Sequence, residues 1–190
     1  MKKFTSIAIL LSLAVAAVAQ EAPHKYEIKS GIVKTVTDVM GQKSEIVSYF
    51  DDYGTKEIAK NKVSVPGQGE MEIASISKDG KMYMVNYTAK QVQEMPVTGS
   101  INYLAITDEI REQFKIVEAG TEMIGDKECA KYTEEISQMG QTANVTVWVW
   151  KGYVIKSITS ISGMQIVAEV TEFEEDAFIL PQTFEIPQFN

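Results

Sequence analysis

Histidine occurs once, at His24, and cysteine once, at Cys129, so nucleophile-base chemistry has almost no material to work with. A serine or cysteine nucleophile needs an imidazole within hydrogen-bond reach, itself held by a third group. His24 stands near the start of the chain, in a segment expected to fray. The lone Cys129 has no partner for an intramolecular disulfide and reads as a half-buried thiol without a chemical role. The same scarcity leaves no His/Cys set for zinc. Carboxylates come in neighbouring pairs at Asp51-Asp52, Glu134-Glu135 and Glu174-Glu175. A glycosidase needs two carboxyls converging on one bond, whereas adjacent strand residues point to opposite faces, so these pairs read as solvated surface. Asp51-Asp52 falls at a turn, where a carboxylate closes an Asx-turn more often than it binds calcium. The glycines of VPGQGEM precede a strand, not a helix, and form no phosphate cradle. Arg111, the sole arginine, reads as a helix-surface ion pair with Glu112 or Asp108 ahead of a carboxylate or phosphate clamp. No catalytic residue, cofactor or metal is expected, and the chain is not expected to be an enzyme.

What remains is apolar binding. The stretch VWVWKGYVIK holds both tryptophans, Trp148 and Trp150, with Tyr153 and Ile155 beyond a Lys151-Gly152 turn. A two-residue hairpin there pairs Trp150 with Tyr153, Trp148 with Ile155 and Val147 with Lys156. A second turn at Ser162-Gly163 pairs Ile155 with Val170, Ser157 with Ala168 and Lys156 with Glu169. One face then collects Trp148, Trp150, Tyr153, Ile155, Thr159, Ile166, Ala168 and Val170. The other carries Lys156 and Glu169 with Val147, Val154 and Thr171. Opposite charges facing each other across a sheet are favourable in water and costly when buried, so the tryptophan face is expected inward and the charged face outward. Met82 and Met84 are adaptable apolar side chains that suit a cavity wall. The proposed ligand-lining set is Trp148, Trp150, Tyr153, Ile155, Ile166, Val170, Met82 and Met84; ordinary core packing stays open as the other reading.

The elements that must position these residues are strands. From Tyr26 onward, short runs rich in Val, Ile, Thr and Tyr alternate with glycine turns, the pattern of an antiparallel meander of roughly ten strands. Asp79-Gly80, between MEIASIS and MYMVNY, is the strongest hairpin signal. TDEIREQFKIV alone has helical character, with Thr107 as N-cap and Asp108 and Glu109 in the positively polarised first turn.

Composition bounds the rest. A chain of 190 residues, 45% hydrophobic, can bury a full core in a single domain. MKKFTSIAILLSLAVAAVAQ has the layout of a secretory leader, with two lysines, an apolar run and small residues at Ala17 and Ala19. Residues 1–19 are therefore expected to be a signal peptide cleaved after Ala19, leaving one domain over 20–190. The apolar run is too short to span a bilayer and no cysteine follows it, so an exported protein without stable membrane insertion or lipid anchor is expected. The net charge of −8, two units more negative once Lys2 and Lys3 are lost, repels phosphate backbones and argues against a nucleic-acid partner.

Four stretches, KSGIVKTVTDVMGQKSEIVSYFDDYGTKE, AGTEMIGDKECAKYTEEI, WVWKGYVIKS and FEEDAFILPQTFEIP, together resemble the LolA/LolB-like superfamily of periplasmic lipoprotein carriers, in an uncharacterised secreted branch. The resemblance implies a mainly β fold: a curved antiparallel sheet forming a half-barrel, with one or a few short helices over an apolar concave face that holds acyl chains. It also implies a periplasmic location in the cell envelope. The segment from Tyr26 to Phe50 lacks the early-strand arginine that governs lipoprotein release in such carriers. The expected function is a non-catalytic periplasmic carrier of a hydrophobic or acylated ligand, a lipid or lipoprotein acyl chains, with envelope proteins as further partners. The alternative is an envelope sensor or scaffold with a filled core.

Overall fold

Two-residue turns set the architecture. At Asp79-Gly80 both residues take positive φ, +53° and +70°, the conformation that matches a hairpin's turn to the right-handed twist of its strands. The computed structural model describes residues 24–65, 69–96, 101–138 and 141–189; the expected leader and its cleavage site lie outside the described residues.

Eleven strands follow in order: β1 (Gly31–Val39), β2 (Gln42–Asp51), β3 (Lys56–Val65), β4 (Gly69–Lys78), β5 (Lys81–Asn86), β6 (Gln91–Met95), β7 (Val117–Ile124), β8 (Lys127–Gln138), β9 (Gln141–Trp150), β10 (Tyr153–Ile161) and β11 (Met164–Glu175). They form one open sheet in the order β6-β5-β4-β3-β2-β1-β11-β10-β9-β8-β7. Every pairing is antiparallel, and the link between the chain's two halves is the β1–β11 ladder. A short helix, α1 (Asp108–Gln113), is capped by the Thr107 hydroxyl, which accepts from the Ile110 N–H. The mainly β half-barrel expected above is the fold observed.

Each half of the sheet is sealed on one face by irregular chain. In the first half, Ile58, Ala74, Ile76 and Val85 pack beneath Phe184, which is 1% exposed and sits on the 3-10 turn Pro181–Phe184. In the second half, Val145, Val147 and Val149 are buried with Tyr103, Tyr132, Ile136 and Val154. The Tyr103 hydroxyl donates to the Glu134 carboxylate, one of two buried polar residues among those described.

The hairpin β9–β10 departs from the expected register. Trp150 faces Tyr153 and Val149 faces Val154, but a bulge at Ile155 then sets Trp148 opposite Lys156 and Val147 opposite Ser157. The Ser162-Gly163 register runs as expected from Ile161–Met164 to Lys156–Glu169, where the β10–β11 ladder ends. A second irregularity lies beside the first, because β1 passes from Lys34–Glu172 to Thr35–Val170 and skips Thr171. A bulge puts two residues opposite one, and the strand bends there. The Lys156–Glu169 ion pair (3.1 Å) therefore lies on the Trp148 side of the sheet, not opposite it. Val147, expected to face outward, is buried instead, with Val154 partly buried beside it.

Candidate functional site

Three rows of side chains, read across strands β2 to β5, define a groove. Cross-strand partners in an antiparallel ladder share a face. The middle row is Ser48–Ala59–Ser75–Met84, of which the first three are small. One flank is Phe50–Glu57–Ser77–Met82, and the other is Ile46–Asn61–Ile73–Asn86. Small residues between two larger rows leave a trough running across the strands. Its closed end is a cavity of about 210 Å³, bounded by Tyr26, Phe50, Glu57, Met82 and Tyr153 over the small-residue floor. Toward β6 the trough is open, since Met84 is 42% exposed and Gln93, its partner, is exposed.

The closed end is aromatic with a charged rim. The Tyr26 ring meets Phe50 edge-on at 4.8 Å and Tyr153 at 5.1 Å between centroids. Tyr153 in turn stacks on Phe50 at 5.7 Å and meets Phe173 edge-on at 5.3 Å. Such ring pairs contribute roughly 0.5–1.5 kcal/mol each beyond area burial. The Glu57 carboxylate accepts from the Lys25 ammonium at 2.7 Å and from the Tyr26 hydroxyl. Burial, reinforced by the nearby Glu57 charge, pushes both the Tyr26 and Tyr153 hydroxyls well above the ordinary phenol range. Neither is positioned as an acid or base for neutral pH.

The eight residues singled out in the sequence occupy three places. Tyr153 and Met82 line the cavity, and Met84 continues its floor toward solvent. Trp148, Trp150, Ile155 and Val170 gather beneath the β9–β10 hairpin with Cys129. Ile166 lies partly buried further along β11, opposite Thr159 and Val39. Trp148 is only 5% exposed: its Nε1 donates to Glu122 at 2.9 Å, while the ammonium groups of Lys131 and Lys156 stand 4.8 and 5.7 Å from its ring. Trp150 is flanked by Lys127 and Lys151 at 4.8 and 4.5 Å.

Tyr26, Ser48, Phe50, Glu57, Ala59, Ser75 and Ser77 did not stand out in the sequence. The Asp79-Gly80 turn alone pairs Ser77 with Met82 and Ser75 with Met84, so part of the trough was readable from one hairpin. The signal for Tyr26 was the alternation in KYEIKS, where Tyr26, Ile28 and Ser30 are buried. The expected fraying near His24 is not seen, because its ring stacks on Tyr53 at 4.0 Å. Arg111 pairs with Glu118 at 3.1 Å, not with Glu112 or Asp108. Asp51 closes on its own backbone, accepting from the Asp52 N–H. Cys129 is fully buried, and burial pushes its thiol up. Among the described residues no group of three or more His, Cys, Asp or Glu could hold a metal ion, and no helix is long and apolar enough to cross a membrane.

No family model and no curated protein matches the chain. Solved structures do. An uncharacterized conserved protein from Thermus thermophilus matches 85% of this chain and 88% of its own, with a TM-score of 0.58 at 10% identity. MucB, solved in complex with MucA(peri), matches 83% of this chain and 54% of its own, with a TM-score of 0.52 at 13% identity. The likeness is one of fold. A putative outer membrane lipoprotein-sorting protein domain from Vibrio parahaemolyticus matches 84% of this chain and 91% of its own, with a TM-score of 0.43 at 10% identity.

Proposed function

We propose that this chain is an exported, non-catalytic binding protein that holds a hydrophobic or acylated molecule in the trough floored by Ser48, Ala59 and Ser75. The observation that carries the reading is an aromatic-ended trough of small residues, walled in part by Ile46, Ile73, Met82 and Met84 and open past Met84, on a sheet whose opposite face is sealed by Phe184. Each buried methylene contributes about 0.8 kcal/mol before ordering costs, so a long chain gains useful affinity without a single hydrogen bond. The cavity is smaller than the roughly 300–1,000 Å³ that encloses a drug-sized ligand, so an acyl chain lies partly along the open floor past Met84. Periplasmic residence follows from the leader reading, with 20–190 as the mature domain.

The test is a titration with oleate, followed by the emission of Trp150, whose indole meets Phe173 edge-on at 5.4 Å beside the aromatic end of the cavity. Ser75→Leu should fill the floor and weaken oleate binding at least tenfold while leaving the melting temperature near that of the parent. Equal affinity in parent and variant would place the ligand elsewhere. Absence of binding across oleate, lysophosphatidylcholine and a lipopeptide would overturn the reading.

A second reading, an envelope sensor or scaffold, draws on the edge strand β7. Val117 and Met123 are 59% and 58% exposed there, beside backbone groups paired on one side only. Strand addition by a partner peptide would use that edge. The fold likeness to MucB, which was solved with a partner chain, supports it to the same degree as any likeness of fold. Oleate-independent capture of an envelope protein, lost on charging Met123, would favour it.

A further inference from the structure

The inference rests on the proposed function and concerns what fills the closed end of the trough when no ligand does. We propose that Tyr26 is a displaceable plug: its ring occupies the position the end of an acyl chain would take, and Lys25 and Glu57 latch it there.

The chain before β1 runs as a strap over the trough's aromatic end. Its backbone is pinned at three points, with the Lys25 and Tyr26 N–H groups donating to the Tyr53 carbonyl (3.1 and 3.2 Å), the Glu27 N–H to the Lys151 carbonyl (3.0 Å) and the Tyr53 N–H to the Lys29 carbonyl (2.9 Å). Two glycines seat it. A Cβ at Gly54 would lie 2.8 Å from the Tyr26 ring, and one at Gly152 would lie 2.5 Å from the Lys25 carbonyl oxygen. The strap is therefore fitted into a slot.

The side chain of Tyr26 points from this strap to the floor. It is 6% exposed, wedged between Phe50 and Tyr153, and its hydroxyl reaches across to Glu57 on β3. With the ring in place the cavity is about 210 Å³, below the roughly 300–1,000 Å³ of pockets that enclose a drug-sized ligand. Removing the ring joins that cavity to the space the ring occupied and lengthens the apolar end. Phe50 and Tyr153 would then present their faces to the ligand in place of Tyr26.

The latch is polar and half-exposed, and so releasable. Lys25 and Glu57 side chains are 26% and 25% exposed, an intermediate position where an ion pair is weakened by salt but not abolished. A strap that must leave to admit a ligand taxes affinity by the fraction of time it is closed, so weakening the latch should raise apparent affinity. This makes Tyr26 the residue that sets which ligands are admitted: only a chain whose burial outweighs that of the Tyr26 ring displaces it.

The experiment uses the mature chain, oleate as probe, stopped-flow emission for association, and hydrogen exchange of the peptide spanning 24–30. Tyr26→Phe keeps the ring and removes the bond to Glu57; Tyr26→Ala removes the plug. With the parent, oleate should deprotect the amides of Lys25, Tyr26 and Glu27. Tyr26→Phe should associate about tenfold faster, and Tyr26→Ala should gain at least tenfold in affinity for oleate over laurate. If Tyr26→Ala fails to fold, the Tyr26→Phe rate and the parent's exchange still decide. Oleate binding with unchanged or increased strap protection, or with the same association rate in Tyr26→Phe, would overturn the plug and leave the binding function standing. No oleate binding by the parent or either variant would overturn both.

Discussion

The Lys156 ammonium lies 5.7 Å from the centre of the Trp148 ring, on the same side of the sheet, because the bulge at Ile155 turns two successive residues of β10 toward one face. An apolar neighbour and a charged one share that face, so the tryptophan is covered by lysine stems instead of by a separate layer.

Exchanging the pair, Lys156→Glu with Glu169→Lys, preserves the cross-strand attraction and removes one of the two cations beside the ring, leaving Lys131. The expected loss is about 0.5–1 kcal/mol, the usual scale of an exposed cation–π contact. Urea denaturation of both single variants and the double variant would measure it, and a double variant as stable as the parent would show that the contact contributes nothing.

Trp148→Ala should cost roughly 3–5 kcal/mol of stability, the range for deleting a large buried aromatic. It also leaves Glu122 with Lys131 alone. Oleate affinity of the folded variant should stay within about threefold, since Trp148 lies under the hairpin and outside the trough. A variant of unchanged stability that loses oleate binding would move the site to the hairpin.

Burial raises the Glu134 carboxyl above its ordinary range, an effect the Tyr103 hydrogen bond partly opposes. The folded state then holds this proton more tightly than the unfolded chain, whose glutamates titrate near about 4.3. Between that value and the raised one, the group's contribution to stability falls as pH rises. Glu134→Gln, which can still accept from Tyr103, should be more stable than the parent at neutral pH and show a flatter profile from pH 4 upward. Chemical denaturation across that range checks it; parallel profiles would refute it.

Gly31→Ala tests how tightly the strap's exit is packed. A Cβ there would lie 2.5 Å from the Phe50 ring and 3.1 Å from the Glu174 carbonyl oxygen. Overpacking of this kind costs typically 1–3 kcal/mol. A melting temperature within a degree of the parent would mean that Phe50 swings aside freely.

Much of the fold could be read from the chain because its turns are local. Asp79-Gly80 and Ser162-Gly163 set registers that hold over their hairpins, and Thr107 caps the helix it precedes. The bulge at Ile155 was not legible: VIK reads as plain alternation, and only the ladder shows that Ile155 has no partner on β9. The Lys156–Glu169 pair was assigned to the wrong face for the same reason, since one unpaired residue exchanges the faces of the residues beyond it. The trough was hidden differently. Ser48, Ala59 and Ser75 come from three strands and carry no chemistry of their own, so their meaning lies in their alignment. Tyr26 stood at the start of the strand pattern without a signal of its own, because its partner Glu57 lies on another strand.

A closed barrel has its girth fixed by strand number and stagger. This sheet ends at two free margins, β6 and β7, so no closing ladder fixes its curl. Curvature is then a soft coordinate: under the proposed binding function, the wall between β2 and β6 would uncurl to admit a bulkier guest while every ladder bond stays intact. Guest width should therefore be accommodated by elastic deformation, and small-angle scattering should register a larger radius of gyration with a branched acyl ligand than with a single chain.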